Sequence, residues 1–281
     1  MNAEQARKLT TESLQALAAD LEAGRSESLT RYLSVMARFH RYSFGNCLLI
    51  LCQRPTATQV AGFHAWLRLG RHVRRGERGI AIIAPMRITR RQDADGDDKA
   101  ATVLRFRVVY VFDVEQTDGD PLPELARAEG DPREATERLR AFVTARGVTL
   151  RYASDELGGA LGLTNGKEII VREGLSAAEE FTTLAHEVAH TMLHFGENRA
   201  GSRTVRELEA EAVSCVVSEA VGLSAREAAR SYIQLYQGDA DSLAASLERI
   251  QTAAAEILSA VLDDAGGSTT DPTAAEHADA G

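Results

Sequence analysis

Apolar residues recur at three- and four-residue spacing through residues 3–21 and again through 26–52, which predicts two helices, the second capped by Ser26. Pro55 closes that region. The periodicity resumes over 56–69, a third helix stopped by Gly70, with Phe63 and Trp66 expected to face its core. After a basic turn framed by Gly76 and Gly79 the pattern changes to strands. One is expected at 80–84 and a longer one, rich in β-branched and aromatic residues, at 103–114, joined through an acidic hairpin tip at 93–98.

Pro121, Pro123 and Pro132 sit in a stretch with the composition of a linker. Beyond it the pattern predicts a helix at 133–146, strands at 149–153 and 168–172, the second after the turn Asn165-Gly166, and helices through 177–263. The last residues are Gly, Ser, Thr, Asp and Ala without periodicity, the composition of a disordered tail. The predicted class is therefore α+β in two domains: an α+β module over 1–120, a linker at 121–132, a mainly helical domain with a small sheet over 133–264, and a tail at 265–281. A chain of 281 residues is long enough for two such cores.

A net charge of −9 argues at first against a nucleic-acid partner. The charges are unevenly placed, however. Residues 31–91 hold twelve arginines, no lysine and one acid, Glu77, a net of +11, which leaves −20 for the other 220 residues. Such asymmetry suggests a polyanion-facing module joined to an acidic one. Cys47, Cys52 and Cys215 are odd in number and lie among apolar neighbours, as expected of buried thiols in a reducing compartment. No apolar run approaches the ~20 residues that span a bilayer, so the expectation is a cytoplasmic protein with no membrane partner.

The sharpest chemical signal is AHEVAH at 185–190, an HExxH pattern. On a helix His186 and His190 project from one face and can share a metal, with Glu187 beside them as general base. Ser176 and Glu179 form a capping box at the start of that helix. A catalytic zinc needs a third protein ligand. Of the glutamates in RELEAEAV, Glu209 shares the apolar arc with Val213, Val216 and Ala220, whereas Glu207 and Glu211 fall on the polar side. A carboxylate on a buried face needs a partner. Zinc would be that partner, which makes His186, His190 and Glu209 the expected ligands; the alternative is a salt bridge from Glu209 to a buried arginine. Glu207 or Glu211 would then accept a ligand imidazole N–H, and His194 would pack or support. The implied chemistry is metal-assisted peptide hydrolysis, with the strand at 168–172 able to pair with an extended substrate. Tyr232 and Tyr236 are candidates for oxyanion stabilisation.

In the basic segment, arginines interleave with Tyr32, Phe39, Tyr42, Phe44, Phe63 and Trp66. Arginine neutralises phosphate and aromatic faces stack on unpaired bases, a combination suited to single strands. Candidate contacts are Arg38, Arg41, Tyr42, Arg71, Arg74, Arg75 and Arg78.

The runs YSFGNCLLI from Tyr42, QRPTATQVAGFHAW from Gln53, LGRHVRRGERGIAIIAP from Leu69 and FDVEQTDGDPLP from Phe112 resemble the N-terminal domain of ArdC-type antirestriction proteins. TLAHEVAH from Thr183, ELEAEAVSCVV from Glu207 and SYIQLYQGD from Ser231 resemble that family's zincin-like metallopeptidase domain. The resemblance implies a single-stranded-DNA-binding domain joined to a zinc metallopeptidase, with Mn2+ as an alternative metal, acting on DNA-associated protein or peptide substrates. It also matches Glu209 to the glutamate of the ExEA segment found in IrrE-like peptidases. Tyr236, where relatives often carry tryptophan, and the acidic tip depart from the family pattern. A competing function is a non-enzymatic coat for single strands with a structural or vestigial zinc site, and a third is a DNA-triggered peptidase that cleaves one repressor.

Overall fold

The computed structural model describes residues 1–25, 27–90, 101–121, 132–154, 156–196, 201–223 and 240–262. The acidic tip, most of the linker, Tyr232, Tyr236, the Ser26 cap and the tail lie outside them. The chain is α+β and divides into two compact units. Among the described residues, unit 1 comprises Met1–Ser13 and residues 48–121; unit 2 comprises Leu14–Cys47 and the described residues from 132 to 262.

In unit 1 a long antiparallel hairpin, β3 (Ile80–Arg90) and β4 (Ala101–Asp113), is flanked by the short strand β1 (Val60–Gly62) in the order β1-β4-β3. A second ladder joins β2 (Arg71–Val73) to β5 (Thr117–Gly119). The helix expected over 56–69 is only α4 (Phe63–Arg68). Its first half is instead turn and extended chain ending in β1, because the fully buried Asp113 carboxylate accepts the backbone N–H groups of Thr58 and Gln59 and draws the chain onto β4. Trp66 is core and donates Nε1–H to the Phe112 carbonyl at 2.9 Å, whereas Phe63, expected beside it, is exposed. The edge of β3 is met by Gln53, whose amide bonds both the N–H and the carbonyl of Ala81.

The helix expected over 26–52 is two, α2 (Glu27–Arg38) and α3 (Phe44–Gln53), separated by a turn in which the Tyr42 N–H bonds the Phe39 carbonyl. Periodicity ran through the break because Cys47, Leu48, Leu49 and Ile50 are all buried, leaving α3 without a polar face to mark a new phase. The helix α1 (Ala3–Glu22) begins in unit 1 and ends in unit 2.

Unit 2 gathers residues the linear division assigned to the first domain. Leu14–Cys47 group with it because α2 buries Leu29, Tyr32, Leu33 and Met36 and packs on α7 (Arg203–Ala220). The Gln251 amide, on α8 (Ala240–Val261), further ties down the turn after α2 through the carbonyls of His40 and Tyr42. The helix α5 (Arg133–Ala145) leads into a three-stranded sheet of order β6-β8-β7, with β6 (Thr149–Ala153) parallel and β7 (Gly162–Thr164) antiparallel to the central β8 (Glu168–Arg172). Against this sheet lies α6 (Ala177–Leu193), started by the expected reciprocal Ser176–Glu179 capping box. It packs in turn on α7, and α7 on α8. None of the described helices is long and apolar enough to cross a membrane.

Candidate metal centre

The i, i+4 spacing on α6 brings His186 and His190 together with their Nε2 atoms 3.0 Å apart. From α7, Glu207 Oε2 approaches these two nitrogens at 3.6 and 3.4 Å. Three donors held at ~2.1 Å around one tetrahedral ion would lie roughly 3.4 Å from one another, so this triangle fits a divalent metal in both size and donor type. His186, His190 and Glu207 form the one such cluster among the described residues.

The other nitrogen of each imidazole is also occupied. His186 Nδ1 faces Glu211 Oε2 at 3.3 Å. His190 Nδ1 lies 2.8 Å from Nδ1 of the buried His194, whose Nε2 is 3.1 Å from Glu209 Oε2. A lone pair on each Nε2 requires the proton on Nδ1. His190 then donates to His194, and His194 donates to the Glu209 carboxylate, so the relay selects the metal-binding tautomer.

Glu209 is thus placed away from the histidine pair. It is 1% exposed, as its apolar arc predicts, but Oε1 accepts from Ser246 at 2.7 Å and from Arg249, both on α8. The ligand set expected from the sequence is not assembled: the buried position is taken by an ion pair with arginine. The carboxylate at the imidazoles comes from Glu207, on the polar edge of α7, because that edge borders the cleft.

Glu187 is buried beside the imidazoles, and burial pushes its carboxyl up to about 7, with Glu207 adding to the shift and His186 opposing it. Burial brings His190 down to about 4, reinforced by His186. For His186 burial favours the neutral ring, but the hydrogen bond to Glu211 and the fields of Glu187, Glu211 and Glu207 outweigh it and raise the pKa. For Glu209 burial opposes ionisation, yet the bonds from His194, Arg249 and Ser246 hold its carboxyl below the usual range.

These residues open into a cleft of about 1060 Å³ between β7, α6 and α7, rimmed by the exposed Leu161, Leu163 and Phe195. Gly162 makes room at its wall: a Cβ there would stand 2.8 Å from Glu187 Oε1 and 2.7 Å from Thr183. The strand at 168–172, expected to receive substrate, is the sheet's centre and is paired on both sides. The edge beside the cleft is β7, which at three residues with a leading glycine left no periodic signal.

The candidate DNA contacts divide. Arg71 is committed to the protein, donating to Thr117 Oγ1 and to the carbonyls of Thr117, Gly119 and Asp120. Arg74 pairs with Glu77 and Asp118. Arg75 and Arg78 are exposed in the same unit. Arg38, Arg41 and Tyr42 belong to unit 2. There the Arg38 Nε–H bonds the Ser34 carbonyl, and burial pushes the Tyr42 hydroxyl up to about 12.

Residues 5–114 match the family model for the N-terminal domain of the anti-restriction factor ArdC. An uncharacterized Bacillus anthracis protein is 24% identical over 251 residues, 74% of this chain; the chain spans 42% of that relative's length. Two crystal structures of the antirestriction ArdC protein from plasmid R388 share the fold. The metal-free form has a TM-score of 0.50 at 21% identity and the Mn(II)-bound form 0.51 at 20%; each alignment covers 90% of this chain, and 97% and 98% of theirs. The chain thus carries a segment that matches the N-terminal domain of ArdC and shares the fold of an ArdC protein over nine-tenths of its length.

Proposed function

We propose that this protein binds single-stranded DNA through its N-terminal module and hydrolyses DNA-associated proteins at a divalent metal held by His186, His190 and Glu207, in the service of antirestriction. The observation that carries the reading is the donor triangle with a buried carboxylate, Glu187, beside it in an open cleft. Nitrogen and carboxylate donors suit zinc and also manganese, and a solved relative of the same fold is Mn(II)-bound.

Held by His186, His190 and Glu207, such an ion would supply Lewis acidity to a water and a peptide carbonyl. Glu187, buried beside the imidazoles, takes the proton of the attacking water on its carboxylate and returns it to the departing nitrogen. An extended substrate adds as a strand to the edge of β7 that is unpaired among the described strands, its side chains meeting Leu161 and Leu163. Tethering on single-stranded DNA raises the local concentration of proteins bound to the same strand.

The test is to incubate the protein, loaded with Zn2+ or Mn2+, with a single-strand-binding protein in the presence and absence of single-stranded DNA. Fragments are expected only with metal, and faster with DNA; a chelator abolishes them. A metal-loaded protein that coats DNA and blocks restriction without producing any fragment would instead establish the non-enzymatic coat.

A further inference from the structure

Alternate side chains of β4 face opposite sides of its sheet. On one side Val111 and Asp113 are buried, and the β3 residues on that side, Ile80, Ile82 and Ala84, are buried with them. The other side carries Phe106, Val108, Tyr110 and Phe112. There Phe106 is 49% and Tyr110 48% exposed, two of the largest apolar surfaces the unit leaves in water. Rings of this size normally bury 150–250 Å² or so each, so their exposure on one sheet face calls for a partner.

Gly79 packs on this face: a Cβ there would lie 2.9 Å from Tyr110 Cβ and 3.1 Å from Phe112 Cζ. The exposed Arg78 directly precedes it in the chain, and the exposed Arg75 belongs to the same turn. Tyr110 is steadied by its hydroxyl, which accepts from the Met1 amino group at 3.0 Å. Four residues along a strand cover about 13 Å. Unpaired bases on an extended backbone can reach two rings so spaced, whereas a duplex keeps its base faces stacked within the helix.

We propose that this face of the β3–β4 hairpin is the base-stacking platform for single-stranded DNA, with Phe106 and Tyr110 as the stacking rings and the exposed Arg75 and Arg78 of the turn before β3 neutralising phosphates. This deepens, and rests on, the reading of the N-terminal module as a single-strand binder.

Fluorescence anisotropy with a labelled oligo-dT of roughly 20 nucleotides, a few single-strand site sizes, tests it across a salt series. Phe106→Ala and Tyr110→Ala each weaken binding about five- to a hundredfold with an unchanged salt slope, since a ring carries no charge. Arg78→Ala weakens binding and lowers the slope by about 0.7. Phe106→Trp retains affinity, and its emission is quenched on binding, a stacking signature against the buried Trp66 background. Wild-type binding that survives both alanine substitutions, or an unquenched Phe106→Trp in the complex, overturns the platform and leaves the single-strand reading intact. A wild type that binds no oligo-dT at low salt overturns that reading and the platform together.

Discussion

Glu187→Gln is expected to lower peptide cleavage by about 10²- to 10⁴-fold, the contribution typical of a positioned general base, while leaving metal and DNA binding at wild-type levels. The substitution preserves volume where volume matters, since the side chain fills the space that Gly162 leaves open. It removes only the capacity to hold a proton at a site whose burial already brings the carboxyl near 7. Single-turnover cleavage and calorimetric metal titration of the same preparation separate the two properties. A variant that cleaves at the wild-type rate would remove Glu187 from the mechanism.

The second large effect is on stability. Glu209→Ala strips the partner from Arg249, His194 and Ser246 at once. Breaking a buried ion pair typically costs ~3–5 kcal/mol; Arg249 is a third exposed and regains some water, so about 3 kcal/mol is expected. Glu207→Gln, on a half-exposed side chain, should cost within about 0.5 kcal/mol. Urea denaturation of the metal-free proteins reads both values, and the opposite order would reverse the roles assigned to the two glutamates.

That pair also shows where sequence reasoning stops. Helical periodicity located Glu209 on a buried face, which the structure bears out, but depth does not name the partner. Ser246 and Arg249 arrive from a helix roughly forty residues away, and no local pattern announces them. Glu207 lies on the polar arc, where the sequence suggests an acceptor for an imidazole N–H; the structure brings it to the two Nε2 atoms because that edge of α7 lines the cleft. The imidazole pair and its capping box were legible because both are fixed by spacing within one helix.

In unit 1 the arginine count was legible and its use was not. Arg71 is consumed in clasping β5 and Arg74 in local ion pairs. The run FRVVYVF from Phe106 is apolar on both faces, so alternation does not show that Phe106 and Tyr110 meet water. Phe63 goes the other way: expected in the core beside Trp66, it is exposed, and Trp66 is the one residue of α4 that is buried.

The central claim, a metal centre on His186, His190 and Glu207, is tested most directly by titrating Mn2+ or Zn2+ into the metal-free protein and its variants. One equivalent is expected to bind the wild type. His190→Ala should abolish binding and Glu207→Gln should weaken it by about 10- to 100-fold or more, while Glu209→Gln, acting only through His194, should lose less than Glu207→Gln. Absence of binding to the wild type, or loss of metal from Glu209→Gln with full retention by Glu207→Gln, would contradict it.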